Sequence, residues 1–194
     1  MEGFTIRQKE LIDASIKIIA EKGIQHLTIK NLSSLIGISE PAIYRHFPSK
    51  MDILLAILHY FELEQVNLFN RITAAREPAL RKLELMFHCH FQKLQNNPAL
   101  AAVIFSEQLF QNDNRLSGKV LKLMDVSQKF LNRIIDEGTK KNEIRTDISK
   151  EYVSTIIMGS LRLLVTRWYL SGFSFELESK GKKLWQSIKK AMRK

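Results

Sequence analysis

The sequence contains a single cysteine, Cys89, among its 194 residues. One cysteine cannot form a disulfide within the chain or a thiolate metal cluster, which fits a reducing compartment. Even the longest apolar stretches, such as residues 100–105, are far shorter than the roughly 20 residues that cross a bilayer. The N-terminus also lacks the basic and apolar regions of a secretory signal. These absences predict a cytoplasmic protein with no membrane partner.

Signatures of common enzyme classes are missing as well. The chain has no glycine-rich phosphate loop, no His-Glu-x-x-His and no Gly-x-Ser-x-Gly. The His-Cys-His run at residues 88–90 is a poor metal site, because positions two apart on a helix project about 200° apart. We therefore expect no catalytic residues, no metal and no cofactor.

Apolar residues make up 45% of the chain, which is enough for a sizeable core, and the net charge is +10. Positive charge favours polyanionic partners without distinguishing nucleic acid from membrane. The tail after Glu178 carries seven basic and no acidic residues, with apolar residues at helical spacing between them. We interpret it as a packing helix with a solvated basic face, although a helix on a membrane surface would use similar residues.

Capping and turn signals divide the chain into helices, and strand signals are nearly absent. Thr5 and Gln8 match a capping box, in which two side chains satisfy free amides of a first helical turn. Apolar residues then recur at helical spacing, and Gly23 is placed to end this helix. Later helices are expected at about 49–73, 78–95, 98–111, 115–138, 150–170 and 175–192.

Two short helices lie between the first helix and the fourth. Thr28 is placed to cap the second helix, and Gly37 to end it. Ser39 is placed to cap the third, with Pro41 in its first turn, where a missing amide costs nothing. Two helices joined by so tight a turn fit a helix-turn-helix, whose second helix enters the major groove of DNA.

The outer side of the third helix is suited to nucleic acid. On a helical wheel Ile43 and Phe47 fall together and must face inward, which leaves a surface that is small at its start and polar further on. Arg45 can reach phosphate or guanine, whereas Tyr44 and Lys50 suit phosphate oxygens. Helical hairpins with a glycine turn also occur in proteins that bind no DNA, so the pattern alone leaves both interpretations open.

Four stretches occur here in a specific combination: EKG at residues 21–23, LTI at 27–29, LIGIS at 35–39 and AIYRHFPSK at 42–50. Together they closely resemble the N-terminal domain of TetR-family transcriptional regulators, over roughly residues 6–58. The resemblance implies an all-α chain with an N-terminal three-helix helix-turn-helix domain. It also implies a helical C-terminal domain that binds a small effector and dimerises through its last two long helices.

The resemblance further implies roles for individual residues. In this family the third helix reads the major groove, a Tyr and a Lys hold phosphates, and the start of the second helix touches the DNA backbone. The phosphate-holding Tyr and Lys correspond to Tyr44 and Lys50. The start of the second helix corresponds to Thr28 with Lys30. The predicted DNA contacts are Thr28, Lys30, Ser39, Glu40, Pro41, Ala42, Tyr44, Arg45, His46 and Lys50.

We predict a DNA-binding domain at residues 1–50 and an effector-binding and dimerisation domain at residues 51–194, connected by the fourth helix. Aromatic residues of the second domain provide material for a pocket or for an ordinary core, and Arg162 needs an acidic ligand, an interface carboxylate or solvent. The predicted effector contacts are Phe61, Phe87, Phe91, Phe105, Arg162 and Trp168. The predicted dimer contacts are Ile156, Gly159, Ser160, Leu163, Leu164, Leu184, Trp185 and Ile188.

The sequence therefore predicts a homodimeric transcriptional repressor. Its partners would be a palindromic double-stranded DNA operator and a small, largely apolar effector that releases it. The alternative is a helical ligand-binding or scaffold protein without specific DNA affinity.

Overall fold

The computed structural model describes residues 3–104 and 113–194, and within these ranges the chain forms helices and no strand. Among the described helices, none combines the length and the apolar character needed to cross a bilayer. The predicted boundary at residue 50 separates a DNA-binding domain from an effector-binding domain, and it stays a prediction. The structure divides the chain by packing instead, into two compact units. These are an N-terminal unit, Met1–Glu64 with Asn97–Leu121, and a C-terminal unit, Gln65–Asn96 with Lys122–Lys194.

The all-α architecture predicted from the sequence is confirmed, and the described helices begin and end within a few residues of their predicted positions. The predicted helix at 98–111 is described only as far as Ile104. In chain order the helices are α1 (Ile6–Lys22), a 3-10 turn (Ile24–His26), α2 (Ile29–Ile36), α3 (Glu40–Tyr44), α4 (Lys50–Ala74), α5 (Ala79–Asn96), α6 (Pro98–Ile104), α7 (Asn114–Lys140), α8 (Lys150–Leu170) and α9 (Leu177–Met192).

The start of α1 has the predicted capping box. The Thr5 hydroxyl oxygen accepts from the Gln8 amide at 3.2 Å, and the Thr5 amide donates to Gln8 Oε1 at 3.0 Å. The expected side-chain cap at Ser39 is wrong, because its hydroxyl makes no capping hydrogen bond. A capping side chain bonds the second or third amide of its helix. At α3 the second residue is Pro41, which has no amide hydrogen, and the Ala42 amide donates to the Ser39 carbonyl at 3.0 Å.

The N-terminal unit packs its helices around a small apolar core in which α1 contacts both α2 and α6. Leu11, Leu32 and Ile43 are fully buried there. The start of α4 is tied to the first turn of α7, because Arg115 Nη1 donates to Asp52 Oδ1 at 2.9 Å. These contacts give the helix-turn-helix a fixed support inside its own unit.

The C-terminal unit is built on the packing of α9 against α5 and α8. Its aromatic core includes Phe87, whose ring lies edge-on to Phe91 with centroids 4.8 Å apart and contacts Trp185 with centroids 5.5 Å apart. Gly181 lies against Phe91, so α9 approaches α5 closely at this point. The buried faces of α5 and α9 are therefore joined within a single protomer.

Candidate nucleic-acid interface

Helix α3 is only five residues long and is held in place from its inner side. Ile43 and Phe47 are buried in the N-terminal unit, as their spacing predicted. Gly37 has a φ of 76°, a left-handed conformation that costs a glycine little, and its amide donates to the Ser33 carbonyl at 2.9 Å. This turn fixes the direction in which α3 leaves α2.

The outer surface of α3 and its neighbours carries the predicted DNA contacts. Tyr44 is 48% exposed, so its phenol reaches solvent at the end of α3, and Arg45 follows it on the surface. The structure therefore places a polar surface around a short helix with an apolar inner side. The exposed members of the predicted set are Thr28, Lys30, Ser39, Glu40, Pro41, Tyr44 and Arg45, and the half-buried members are Ala42, His46 and Lys50.

Lys50 has a structural contact that the sequence did not reveal. Its Nζ donates to the carbonyl oxygen of Ile24 at 3.2 Å, and burial lowers the pKa of Lys50. This bond ties the first residue of α4 to the turn between α1 and α2. An ammonium group has three donors, so two of them stay available to a phosphate oxygen. Phosphate binding by Lys50 stays a prediction.

The first turn of α2 is also organised by side chains. The Thr28 hydroxyl oxygen accepts from the Asn31 amide at 3.1 Å, which is the predicted cap, and Asn31 Nδ2 donates to the His26 carbonyl at 2.8 Å. The cap uses the hydroxyl oxygen of Thr28 as an acceptor, so the hydroxyl hydrogen of Thr28 can still be donated to a phosphate. Lys30 is exposed in the same turn.

Gln8 and Asn31 make positioning contacts that the sequence analysis missed. Gln8 uses its amide oxygen for the capping box and donates from Nε2 to the carbonyl of His46 at 3.4 Å. The start of α1 is therefore linked to the segment just after α3. The capping-box pattern was the signal for Gln8, but nothing in its spacing indicated the second contact.

The predicted effector residues are divided between the two compact units. Phe61 belongs to the N-terminal unit, whereas Phe87, Phe91 and Trp168 are buried in the C-terminal unit. Phe105 lies outside the described residues, and Arg162 is half-buried. Phe87 and Phe91 are in contact, but Trp168 packs on Phe173 with ring centroids 4.6 Å apart. Effector binding by this set stays a prediction.

The predicted dimer residues fall into an exposed group and a buried group. Ile156 and Leu163 on α8 are 52% and 63% exposed, with the exposed Gly159 between them. Trp185 and Ile188 on α9 are instead buried inside their own unit, so their side chains are not available to a partner. Ser160, Leu164 and Leu184 are half-buried.

Two further residues extend the exposed group on α8. Tyr152 lies four positions before Ile156, and Leu170 lies seven positions after Leu163, and both are exposed. Residues at these intervals share one face of a helix. We call this face, formed by Tyr152, Ile156, Gly159, Leu163 and Leu170, the α8 stripe. The sequence analysis missed its two ends, although their spacing was a usable signal.

Comparisons with known proteins agree with this architecture. The Fatty acid metabolism regulator protein of Bacillus subtilis is 24% identical over 168 residues, which are 87% of this chain and 86% of that protein. The Nucleoid occlusion factor SlmA of Vibrio campbellii is 22% identical over 182 residues, which are 93% of each chain. The transcriptional regulator FadR of Bacillus subtilis, solved in complex with stearoyl-CoA, superposes with a TM-score of 0.80 at 23% identity, over 93% of this chain and 96% of that chain.

Two family models match the chain directly. The model described as "Bacterial regulatory proteins, tetR family" matches residues 11–57, which contain the helix-turn-helix. The model described as "YsiA-like protein, C-terminal region" matches residues 64–191, which is more than half of the chain. With the all-α fold described above, these matches show that the chain belongs to the TetR family of DNA-binding transcriptional regulators.

Proposed function

We propose that the protein is a homodimeric repressor that binds a palindromic double-stranded DNA operator in the cytoplasm. The observation that carries this proposal is α3, whose inner residues Ile43 and Phe47 are buried while its outer surface is exposed and polar. A helix held in this way can enter the major groove, and a symmetric dimer places two such helices on two half-sites. Half-sites spaced about one DNA turn, roughly 34 Å, or a larger compatible distance, suit this arrangement.

The DNA contacts divide into those that position the protein and those that read bases. Pro41 and Ala42 are small, so the backbone of α3 can approach base edges closely. Arg45 has the planar donors that recognise guanine, and Glu40 can accept from the amino group of cytosine. Phosphate contacts from the exposed Tyr44 and from the start of α2 hold this helix in register.

The contact assignment can be tested with Lys30→Gln and Tyr44→Phe. Each neutralised phosphate contributes roughly 0.9 to the slope of log affinity against log salt, so Lys30→Gln should flatten that slope. Tyr44→Phe removes an uncharged donor and should weaken binding to all sequences by about 1 kcal/mol with an unchanged slope. The measurement is fluorescence anisotropy across a salt series, with DNA from upstream of the protein's own gene.

Lys17→Gln is the matched control, because Lys17 is exposed on α1 and lies outside the predicted contacts. It should bind DNA like the wild type. If Lys30→Gln and Tyr44→Phe also bind like the wild type, these side chains do not hold phosphates. A wild-type protein that binds upstream DNA no better than unrelated DNA would favour the alternative, a ligand-binding or scaffold protein.

The second part of the proposal is release by a small, largely apolar effector. Phe87, Phe91 and Trp168 supply apolar surface in the C-terminal unit, and the similar FadR structure contains stearoyl-CoA. Helix α4 runs without interruption from Lys50 in the N-terminal unit to Ala74 in the C-terminal unit. A ligand that displaces this helix would change the distance between the two recognition helices of a dimer, and DNA tolerates only one spacing.

Stearoyl-CoA is the first probe for this mechanism. If stearoyl-CoA favours the DNA-free form, it must bind the free protein more tightly than it binds the operator complex. The ratio of these two affinities equals the factor by which stearoyl-CoA weakens operator binding, typically about 5 to 150-fold. Calorimetric titrations into the free protein and into the complex measure both affinities. Coenzyme A without an acyl chain is the control and should bind weakly to both. Equal affinity of stearoyl-CoA in the two titrations would rule out allosteric release.

A further inference from the structure

A cleft of about 420 Å³ lies between α5 and α9, within the C-terminal unit. Its volume is in the range of small-molecule sites, which span roughly 300 to 1,000 Å³. Only Phe87 is shared with the predicted effector residues. The lining side chains are Arg81, Glu84, Leu85, Phe87 and His88 of α5, and Lys182, Lys183, Trp185 and Gln186 of α9.

One side of this cleft is apolar and partly aromatic. Leu85, Phe87 and Trp185 line it; Leu85 is half-buried, whereas Phe87 and Trp185 are almost fully buried with ring centroids 5.5 Å apart and form a fixed floor. Rigid aromatic side chains bind a flat apolar group without a large loss of conformational freedom. This part of the cleft therefore suits a ring system or another flat apolar group.

The basic side chains that line the cleft differ in whether they have an acidic partner. Glu84 Oε2 lies 3.0 Å from Arg81 Nη1 and 3.9 Å from Lys189 Nζ. Lys182 Nζ lies 3.0 Å from Glu178 Oε1. Lys183 has no carboxylate within salt-bridge distance in the described part of the chain. An ammonium group at the edge of an apolar cleft recognises a carboxylate, sulfonate or phosphate.

Two buried nitrogen atoms belong to the side chains that line the cleft. Trp185 Nε1 and His88 Nδ1 have no hydrogen-bond partner among the described residues. Trp185 is 2% exposed, and buried polar atoms without partners are rare in folded proteins. Both nitrogens are shielded from the open cleft, so a ligand atom could bond either of them only after a side-chain shift.

One residue of the predicted dimer set, Trp185, lines the cleft, but it is buried in its own unit and offers no side chain to a partner. Gln186 lines the cleft, whereas Leu184 is the half-buried residue of α9 in the predicted dimer set. Positions two apart on a helix differ by about 200°, so these two side chains leave α9 on nearly opposite sides. A dimer formed through Leu184 would therefore leave the cleft open to solvent.

From these observations we propose that the cleft between α5 and α9 is a binding site for a small amphipathic anion. The flat apolar part of the ligand lies against Leu85, Phe87 and Trp185, and its acidic group pairs with Lys183. This site goes beyond the proposed repressor function and does not depend on DNA binding. A negative result in the operator assay would therefore not contradict the proposed site.

The probe is 8-anilinonaphthalene-1-sulfonate, an aromatic anion whose fluorescence rises in an apolar site, titrated into the full chain without DNA. Lys183→Glu should weaken its binding by about tenfold or more, because attraction of the sulfonate becomes repulsion. Lys190→Glu is the matched control, since Lys190 is exposed on the same helix and does not line the cleft. It should change the affinity less than twofold, about 0.4 kcal/mol.

A second probe and a second variant separate charge from apolar binding. N-phenyl-1-naphthylamine has the same rings without the sulfonate, so it should bind the wild type more weakly and be insensitive to Lys183→Glu. Gln186→Trp fills the cleft and should weaken both probes. Equal binding of the sulfonate probe by Lys183→Glu and Lys190→Glu, at matched circular dichroism spectra, would overturn the proposal. Unchanged binding of both probes by Gln186→Trp would do the same.

Discussion

The double variant Ile156→Asp, Leu163→Asp is expected to be a monomer and to bind operator roughly 100-fold or more weakly than the wild type. Both side chains lie in the α8 stripe and are more than half exposed in the protomer. Apolar residues at this spacing leave a continuous apolar face that no described part of the protomer covers, and such faces mark protein interfaces. A carboxylate placed there would be buried without a partner on association.

The loss of DNA affinity follows from the loss of the dimer. A dimer binds two half-sites, and binding of the first half-site makes binding of the second effectively intramolecular. A monomer loses this gain even when its helix-turn-helix is intact. Gly159 contributes by its size, because among the described residues a Cβ atom at this position would meet nothing beyond its own helix within 4 Å. A partner helix can therefore approach α8 closely between Ile156 and Leu163.

Sedimentation at micromolar protein concentration measures the association state, and anisotropy measures operator affinity. Leu121→Asp is the control, because Leu121 is 60% exposed on α7 and lies outside the α8 stripe. It should stay dimeric. A wild-type monomer would contradict the homodimer, and dissociation by Leu121→Asp but not by the double variant would assign the interface to another face.

The N-terminal elements could be predicted because their signals are local. Thr5, Thr28 and Gly37 act within one helical turn of their own positions, and the inward direction of Ile43 and Phe47 follows from helical spacing alone. Ser39 shows the limit of a residue-by-residue interpretation. Ser39 does occupy the cap position, as predicted. Its hydroxyl has no amide donor two residues later, because that residue is Pro41.

The C-terminal contacts were harder to predict, because apolar spacing does not say which surface a residue meets. Trp185 has the same helical pattern whether it faces a partner or its own core, and the structure buries it against Phe87. The same ambiguity affects the aromatic residues predicted to contact an effector, since Phe61 and Phe87 belong to different units. Lys50 likewise bonds a carbonyl 26 positions away, which no local pattern encodes.

Gly181→Ala is expected to destabilise the protein by about 1 to 3 kcal/mol, and Gly181→Val by more, because both overpack a buried contact. A Cβ atom on Gly181 would lie 2.3 Å from Cδ2 and 2.6 Å from Cε2 of Phe91, far inside van der Waals distance. Phe91 is buried and lies edge-on to Phe87, which in turn contacts Trp185. The ring cannot yield without moving this cluster, so α9 must shift away from α5.

Urea unfolding of Gly181→Ala tests this packing, and Gly118→Ala is the control. Gly118 is a helical glycine of α7 whose added Cβ would meet nothing within 4 Å in the described part of the chain, so alanine there should stabilise by roughly 0.5 to 1 kcal/mol. The two identical substitutions should therefore shift stability in opposite directions. Phe91→Leu removes the clashing ring, so the loss caused by Gly181→Ala should be smaller in that background, as a favourable coupling in a double-mutant cycle. A Gly181→Ala protein as stable as the wild type would mean that α5 and α9 pack less closely than the structure shows, because the clash is the only source of the expected loss.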